Sequence, residues 1–411
     1  MVILGARMSV RVAALAVLVL LFATPPVHGG SIEDEQWHLG ALDAYAAHEV
    51  SRGDGVVVAV VDSGVDETVA DLAGQLLPGA GFGSAEGNGG VRDTDGHGTS
   101  MATLIAGRGR GGALGIAPGA KILPVAAAVD GKDFPTDGVV QSIRWAADHG
   151  AKVINLSLGT ESLSTPDLVS AVAYAFDKDV VVVAATGNDG VQHIGSPANI
   201  LGVVAVAGTV QGGEPWPSSN TGRLTVLAAP AQDIVTAAPL SVSDSGYVQV
   251  SGTSAATALV SGVAALVRAK YPEMSAANVV NRLIASATDI AAPGRDDATG
   301  FGVVNPVEAL TKDVPAVDRN PLLPEHAAPS QPPLVPVNPG NPAVAVGSPP
   351  TDRPVDTFTR LAYVTAGVLA AGVVVLVLRA QARKRRGPVL EPVTSWEPPP
   401  PDDDFWRPRY D

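Results

Sequence analysis

The stretch Gly55-Val56-Val57-Val58-Ala59-Val60-Val61-Asp62-Ser63-Gly64 decides the fold. Its apolar residues run without alternation, the pattern of a parallel strand buried on both faces, and the run stops on a carboxylate. Similar runs recur at residues 152–158, 180–185 and 203–207. Helical stretches accompany them at residues 99–106, 136–149, 167–177 and 253–270. Strand alternating with helix predicts an α/β domain on a central parallel sheet. In such sheets functional residues collect at the carboxyl ends of strands, where Asp62 stands.

Working outward, three more islands carry reactive groups. Asp95-Gly96-His97-Gly98-Thr99 puts a histidine at the start of a predicted helix, and Ser251-Gly252-Thr253-Ser254-Ala255 does the same for a serine. Ala185-Thr186-Gly187-Asn188 follows a strand run. Singly, each has a plainer reading as a turn or a helix cap. Together they supply an acid, a base, a carboxamide donor and a hydroxyl. A serine hydroxyl is a poor nucleophile until an imidazole takes its proton, and the imidazole needs a carboxylate to fix its tautomer. The set points to hydrolysis of peptide bonds. The free amide groups at a helix N-terminus suit a site where an oxyanion develops.

With these islands the chain resembles the subtilisin-like serine proteases, whose triad runs Asp, His, Ser along the chain. Within them it resembles the mycosins, membrane-anchored proteases of type VII secretion systems. The resemblance runs from about Trp37 to about Leu310. It includes Ser51-Arg52-Gly53-Asp54-Gly55, Leu114-Gly115-Ile116-Ala117-Pro118 with Ile122-Leu123-Pro124-Val125, Val153-Ile154-Asn155-Leu156-Ser157, and Gly300-Phe301-Gly302-Val303-Val304-Asn305-Pro306. It implies the subtilisin-like fold, Ser254 as nucleophile, His97 as general base, Asp62 as its orienter, and Asn188 as oxyanion donor with the Ser254 amide as a second. It also implies a substrate-aligning edge at Ser157, Leu158 and Gly159, and a pocket wall that includes Ala185 and Gly187. Two positions depart from the family pattern. Ala258 stands where a proline is usual, and Ala255 where a larger residue is usual.

Composition bounds the rest. Arg7 and Arg11, an uncharged run over residues 12–23, then Pro25, Pro26, Gly29 and Gly30 read as a secretory signal peptide, residues 1–30. The chain has no cysteine, so an exported protein must be held by its own core, and thiol catalysis and thiolate metal sites are excluded. A formal charge of −14 argues against a nucleic-acid partner. Residues 31–50 are too short for a folded inhibitory prodomain and are expected to pack on a catalytic domain at residues 51–310.

A Pro-rich linker follows at residues 311–357, then a transmembrane helix at 358–379. Within it, residues 361–378 carry no charge and at about 1.5 Å per residue just cross a hydrocarbon core of about 30 Å. Arg379, Arg383, Lys384, Arg385 and Arg386 place the tail, residues 380–411, in the cytoplasm and the catalytic domain outside the cell membrane.

No cofactor is expected and no metal site is specific, since Asp93 and Asp95 read more simply as a turn. The expected function is a membrane-anchored serine endopeptidase acting on exported protein or peptide substrates beside a type VII secretion membrane complex. The rival readings are a structural component that stabilises that complex, and a general degradative protease.

Overall fold

The computed structural model describes residues 31–128, 134–160, 163–291 and 293–324. The expected signal peptide, membrane span and cytoplasmic tail, and the expected linker beyond residue 324, lie outside the described residues. Among those described, no helix is long and apolar enough to cross a membrane.

Seven strands form one parallel sheet: β1 (Val57–Asp62), β2 (Ala80–Gly81), β3 (Lys121–Ala126), β4 (Val153–Leu156), β5 (Val181–Ala185), β6 (Val204–Thr209) and β7 (Leu227–Pro230). Their spatial order is β2-β3-β1-β4-β5-β6-β7. β1 is therefore flanked by β3 and β4, in register Val60↔Pro124 and Val60↔Asn155. Every residue of β4, β5, β6 and β7 is buried, and for β4, β5 and β6 that burial on both faces shows in the sequence as apolar runs. A separate antiparallel pair, β8 (Ile234–Ala237) and β9 (Tyr247–Val250), lies outside the main sheet.

Nine helices are described: α1 (Ile32–Glu35), α2 (Trp37–Ala41), α3 (Ala44–Val50), α4 (His97–Ala106), α5 (Thr136–Asp148), α6 (Pro166–Asp177), α7 (Thr253–Lys270), α8 (Ala276–Ser286) and α9 (Pro306–Thr311). α5 and α6 are amphipathic and lay Val139, Ile143 and Ala146, and Leu168, Val172 and Ala175, against the sheet side of the molecule. α7 is different. It is buried from Thr253 to Arg268 except at Ser254 and runs along β4, β5, β6 and β7. A small residue also lets it pass close to the loop before β3: a Cβ on Gly262 would lie 2.8 Å from the Cβ of Ile116. The helix passes unbroken through Ala258, fully buried, where the family pattern has proline.

The N-terminal extension is stitched to this domain by buried polar bonds. Gln36 donates from Nε2 to the carbonyls of Leu114 and Val235 and accepts the Leu114 amide on Oε1, closing three backbone groups with one side chain. Trp37 donates its indole N–H to the carbonyls of Gln232 and Asp233. His48 meets the carbonyl of Ile116 at 2.9 Å.

Several boundaries differ from the sequence reading. β4 stops at Leu156, so Ser157 and Leu158 leave the ladder, and α4 begins two residues earlier, at His97. β3, β7, the β8–β9 pair, α8 and α9 were not expected. Pro124 interrupts the apolar signature of β3, and Leu227-Ala228-Ala229-Pro230 carries too little β-branching to stand out.

Candidate active site

The peripheral helices α6, α8 and α9 open on side-chain caps, from Thr165, Ser275 and Asn305. The helices that carry His97 and Ser254 open instead on glycines, Gly96 at φ +89° and Gly252, with no side-chain cap from those positions. Their first amides are left for other partners, which is the arrangement an anion-stabilising site requires. Gly98 has a second reason to be glycine: a Cβ there would run into the carbonyl oxygen of Gly64. That close approach brings the start of α4 against the end of β1.

Asp62 and His97 meet as a result. His97 Nδ1 lies 2.8 Å from Asp62 Oδ1, and the Ser63 amide donates to the same oxygen at 2.8 Å. Asp62 is fully buried, whereas the His97 side chain is 30% exposed. With a carboxylate on Nδ1, the neutral imidazole carries its proton there and leaves the Nε2 lone pair free to accept one. Burial alone would push the imidazole down. The Asp62 charge and hydrogen bond, joined by the charges of Asp95 and Asp93, outweigh burial and raise it to about 9.

Ser254 lines the same cavity as His97, a space of about 480 Å³. Its hydroxyl is not on the imidazole. It donates to the carbonyl of Ser157 at 3.1 Å, while the Ser157 hydroxyl donates back to the carbonyl of Ser254 at 2.9 Å. For its hydroxyl to bond the imidazole, Ser254 would first have to give up the bond to Ser157.

Asn188 also opens onto the cavity. Its Oδ1 accepts the amide of Thr253 at 2.8 Å and the Thr253 hydroxyl at 2.9 Å. With the oxygen committed, the NH₂ group is the free end, and no hydrogen bond among the described residues uses it. Ser157, Leu158, Gly159, Ala185 and Gly187 line this cavity too. Among the described residues, the backbone of Leu158 and Gly159 enters no hydrogen bond, which leaves an edge open to an extended peptide. Size alone does not find the site. Two larger cavities, of about 660 and 790 Å³, hold no paired base and nucleophile.

Other residues were not legible beforehand. Asn155, fully buried in β4, donates to the Ser157 hydroxyl at 2.9 Å and accepts from Ser261 of α7 at 3.0 Å. This bridge ties α7, which carries Ser254, to the sheet. Asn220 accepts the amide of Asp189 at 2.8 Å and leaves no room for a Cβ at Gly187, whose φ is +112°. Asp93 and Asp95 lie in the turn that precedes His97, where Asp93 accepts from Ser63, Asp95, Gly96 and Thr99. The remaining described histidines are apart: His38 is buried, and His149 stacks on Trp145.

Over residues 53–302 the sequence matches the subtilase family. Thermitase of Thermoactinomyces vulgaris is 37% identical over 228 residues, which are 55% of this chain and 79% of thermitase. The structure of MycP1 from Mycobacterium smegmatis superposes with a TM-score of 0.61 at 28% identity, covering 72% of this chain and 89% of that one. The MycP3 protease from the type VII (ESX-3) secretion system superposes with a TM-score of 0.61 at 31% identity, covering 70% and 90%.

Proposed function

From the premise that the chain belongs to the subtilase family of serine proteases, we propose that it is a membrane-anchored endopeptidase. It acts outside the cytoplasmic membrane on proteins exported by a type VII secretion system. Ser254 Oγ attacks the scissile carbonyl carbon as His97 Nε2 takes its proton. Asp62 holds the imidazole by Nδ1 and stabilises the imidazolium. The Asn188 NH₂ and the Ser254 amide donate to the oxyanion. Its collapse expels the amine, which takes the proton back from His97, and leaves an acyl group on Ser254. Water, deprotonated by the same nitrogen, then releases the acid. The substrate lies along Ser157, Leu158 and Gly159, with the side chain before the cut against Ala185 and Gly187.

One observation carries this reading: His97, held 2.8 Å from Asp62, shares a cavity with Ser254 and Asn188. The likeness to MycP1 and MycP3 supports the secretion role, as does the apolar run at residues 361–378 for the anchor. The test is labelling of the full-length protein with a fluorophosphonate, read by mass spectrometry. A phosphonyl adduct on Ser254 is expected, together with loss of exported-substrate cleavage in Ser254→Ala. An unlabelled serine, or cleavage that continues in the variant, defeats the reading. If Ser254→Ala still rescues secretion in a deletion strain, the essential role is scaffolding.

The pH profile follows from the carboxylates around His97. The base works only when neutral, and its raised pKa keeps it protonated further up the scale. Activity therefore climbs with pH, and the acid limb of kcat/KM lies above the ordinary histidine value of 6.5, towards 9. Stability runs the other way. The protonated ring favours the fold, so its contribution is full below about 6.5 and fades as pH rises through about 9. Steady-state kinetics and thermal melts from pH 5 to 10 check both. An acid limb at or below 6.5 contradicts the electrostatics.

A further inference from the structure

The turn before α4 holds a second buried carboxylate behind the Asp62–His97 pair. Asp93 is 5% exposed, and five donors converge on it. Oδ1 accepts the Ser63 hydroxyl at 2.9 Å, the Gly96 amide at 2.8 Å and the Asp95 amide at 3.2 Å. Oδ2 accepts the Thr99 amide at 2.9 Å and the Thr99 hydroxyl at 2.6 Å. The Ser63 hydroxyl also lies 3.3 Å from Asp62 Oδ1 and accepts the amide of Gly98 at 3.0 Å. Asp93 thus grips the backbone on both sides of His97 and touches Asp62 through one shared hydroxyl.

The chemistry of that socket selects a carboxylate. All five partners donate, and an amide in its place would turn an NH₂ towards the backbone N–H of either Gly96 or Thr99. Among the described residues no lysine or arginine pairs with it, so its charge stays uncompensated near the site. A turn alone would not require this, since an asparagine or serine closes most turns.

We propose that Asp93 is a positioning residue for His97: it holds the ring on Asp62 through Ser63 and the loop amides, and places a second negative charge behind it. The inference rests on His97 being the base. The charged groups that bear on the imidazole are Asp62 from β1 and Asp95 and Asp93 from its own turn, with Asp189 across the cavity. No lysine or arginine lines that cavity among the described residues, and Pro239 and Val242, which pack on Gly96, carry no charge.

The test is Asp93→Asn in the full-length protein, with kcat and KM followed across pH. The plateau of kcat falls on the order of 10-fold as the ring loses its hold, with KM unchanged. The acid limb moves to lower pH, because one negative charge fewer favours the imidazolium less. The two effects have opposite signs near neutrality, and a merely structural role moves only the first. Asp95→Asn removes a charge from the same turn and shifts the limb the same way. If Asp93→Asn does not fold, Ser63→Ala cuts the bridge and keeps the charge: kcat falls and the limb moves less than in Asp95→Asn. An acid limb unmoved in Asp93→Asn, or an unchanged kcat in Ser63→Ala, overturns the proposal. Fluorophosphonate labelling of the unaltered protein separates this from the underlying reading, which fails only if Ser254 is not labelled.

Discussion

Ser254→Ala and His97→Ala each lower kcat by about 10⁶, the scale found when the equivalent residues are removed from a subtilisin, and the double variant falls no further. In the proposed mechanism the nucleophile and the base perform one step. Without Nε2 the hydroxyl keeps its proton, and without the hydroxyl the base has nothing to activate but water. Asp62→Ala costs less, about 10⁴, because the imidazole survives and loses only its anchor on Nδ1. KM stays within a few-fold in all of them, since Leu158 and Gly159 of the cavity edge are not altered in any of them. Folding barely changes in Ser254→Ala, which gives up one hydrogen bond to the carbonyl of Ser157, about 1 kcal/mol or less. The measurement is kcat on a peptide substrate for the three single variants and the Ser254/His97 double. A double variant that falls multiplicatively below both singles would show that the two residues act independently. That outcome contradicts a shared proton transfer.

How much of this was legible beforehand depends on the range of each interaction. Asp62, His97, Asn188 and Ser254 were legible because each sits in a short island whose neighbours do a local job. A buried strand ends at Asp62, and glycines open the helices of His97 and Ser254. The heart of the sheet was legible for the same reason, since burial on both faces makes β1, β4, β5 and β6 continuous apolar runs. What was not legible is long-range. Asn155 and Ser261 are 106 positions apart, and no periodicity joins them. Asp93 looks like any turn aspartate until Ser63, 30 positions earlier, is seen to donate to it. Ser157 reads as the last stretch of a strand, yet it leaves the ladder because its hydroxyl and carbonyl are both taken by Ser254.

Asn188→Ala is expected to lower kcat by about 10²–10³, equivalent to about 2.7–4 kcal/mol of transition-state stabilisation, with KM little changed. The geometry gives Asn188 two tasks, and the variant removes both. Its NH₂ is the free end at the cavity, and its Oδ1 holds the amide and hydroxyl of Thr253 at the head of α7. Loss of activity in the alanine variant could therefore come from a displaced Ser254 as well as a missing donor. Asn188→Asp separates the two. An aspartate keeps an acceptor for both Thr253 groups, so α7 stays where it is and Tm remains near that of the unaltered protein. It replaces the donor with a negative charge facing the developing oxyanion, so kcat falls at least as far as in Asn188→Ala. The fluorophosphonate rate, which also builds negative charge on oxygen, falls in parallel. If Asn188→Asp retains substantial kcat while Asn188→Ala loses it, the side chain acts through Thr253 alone, and the oxyanion is met by the Ser254 amide without it.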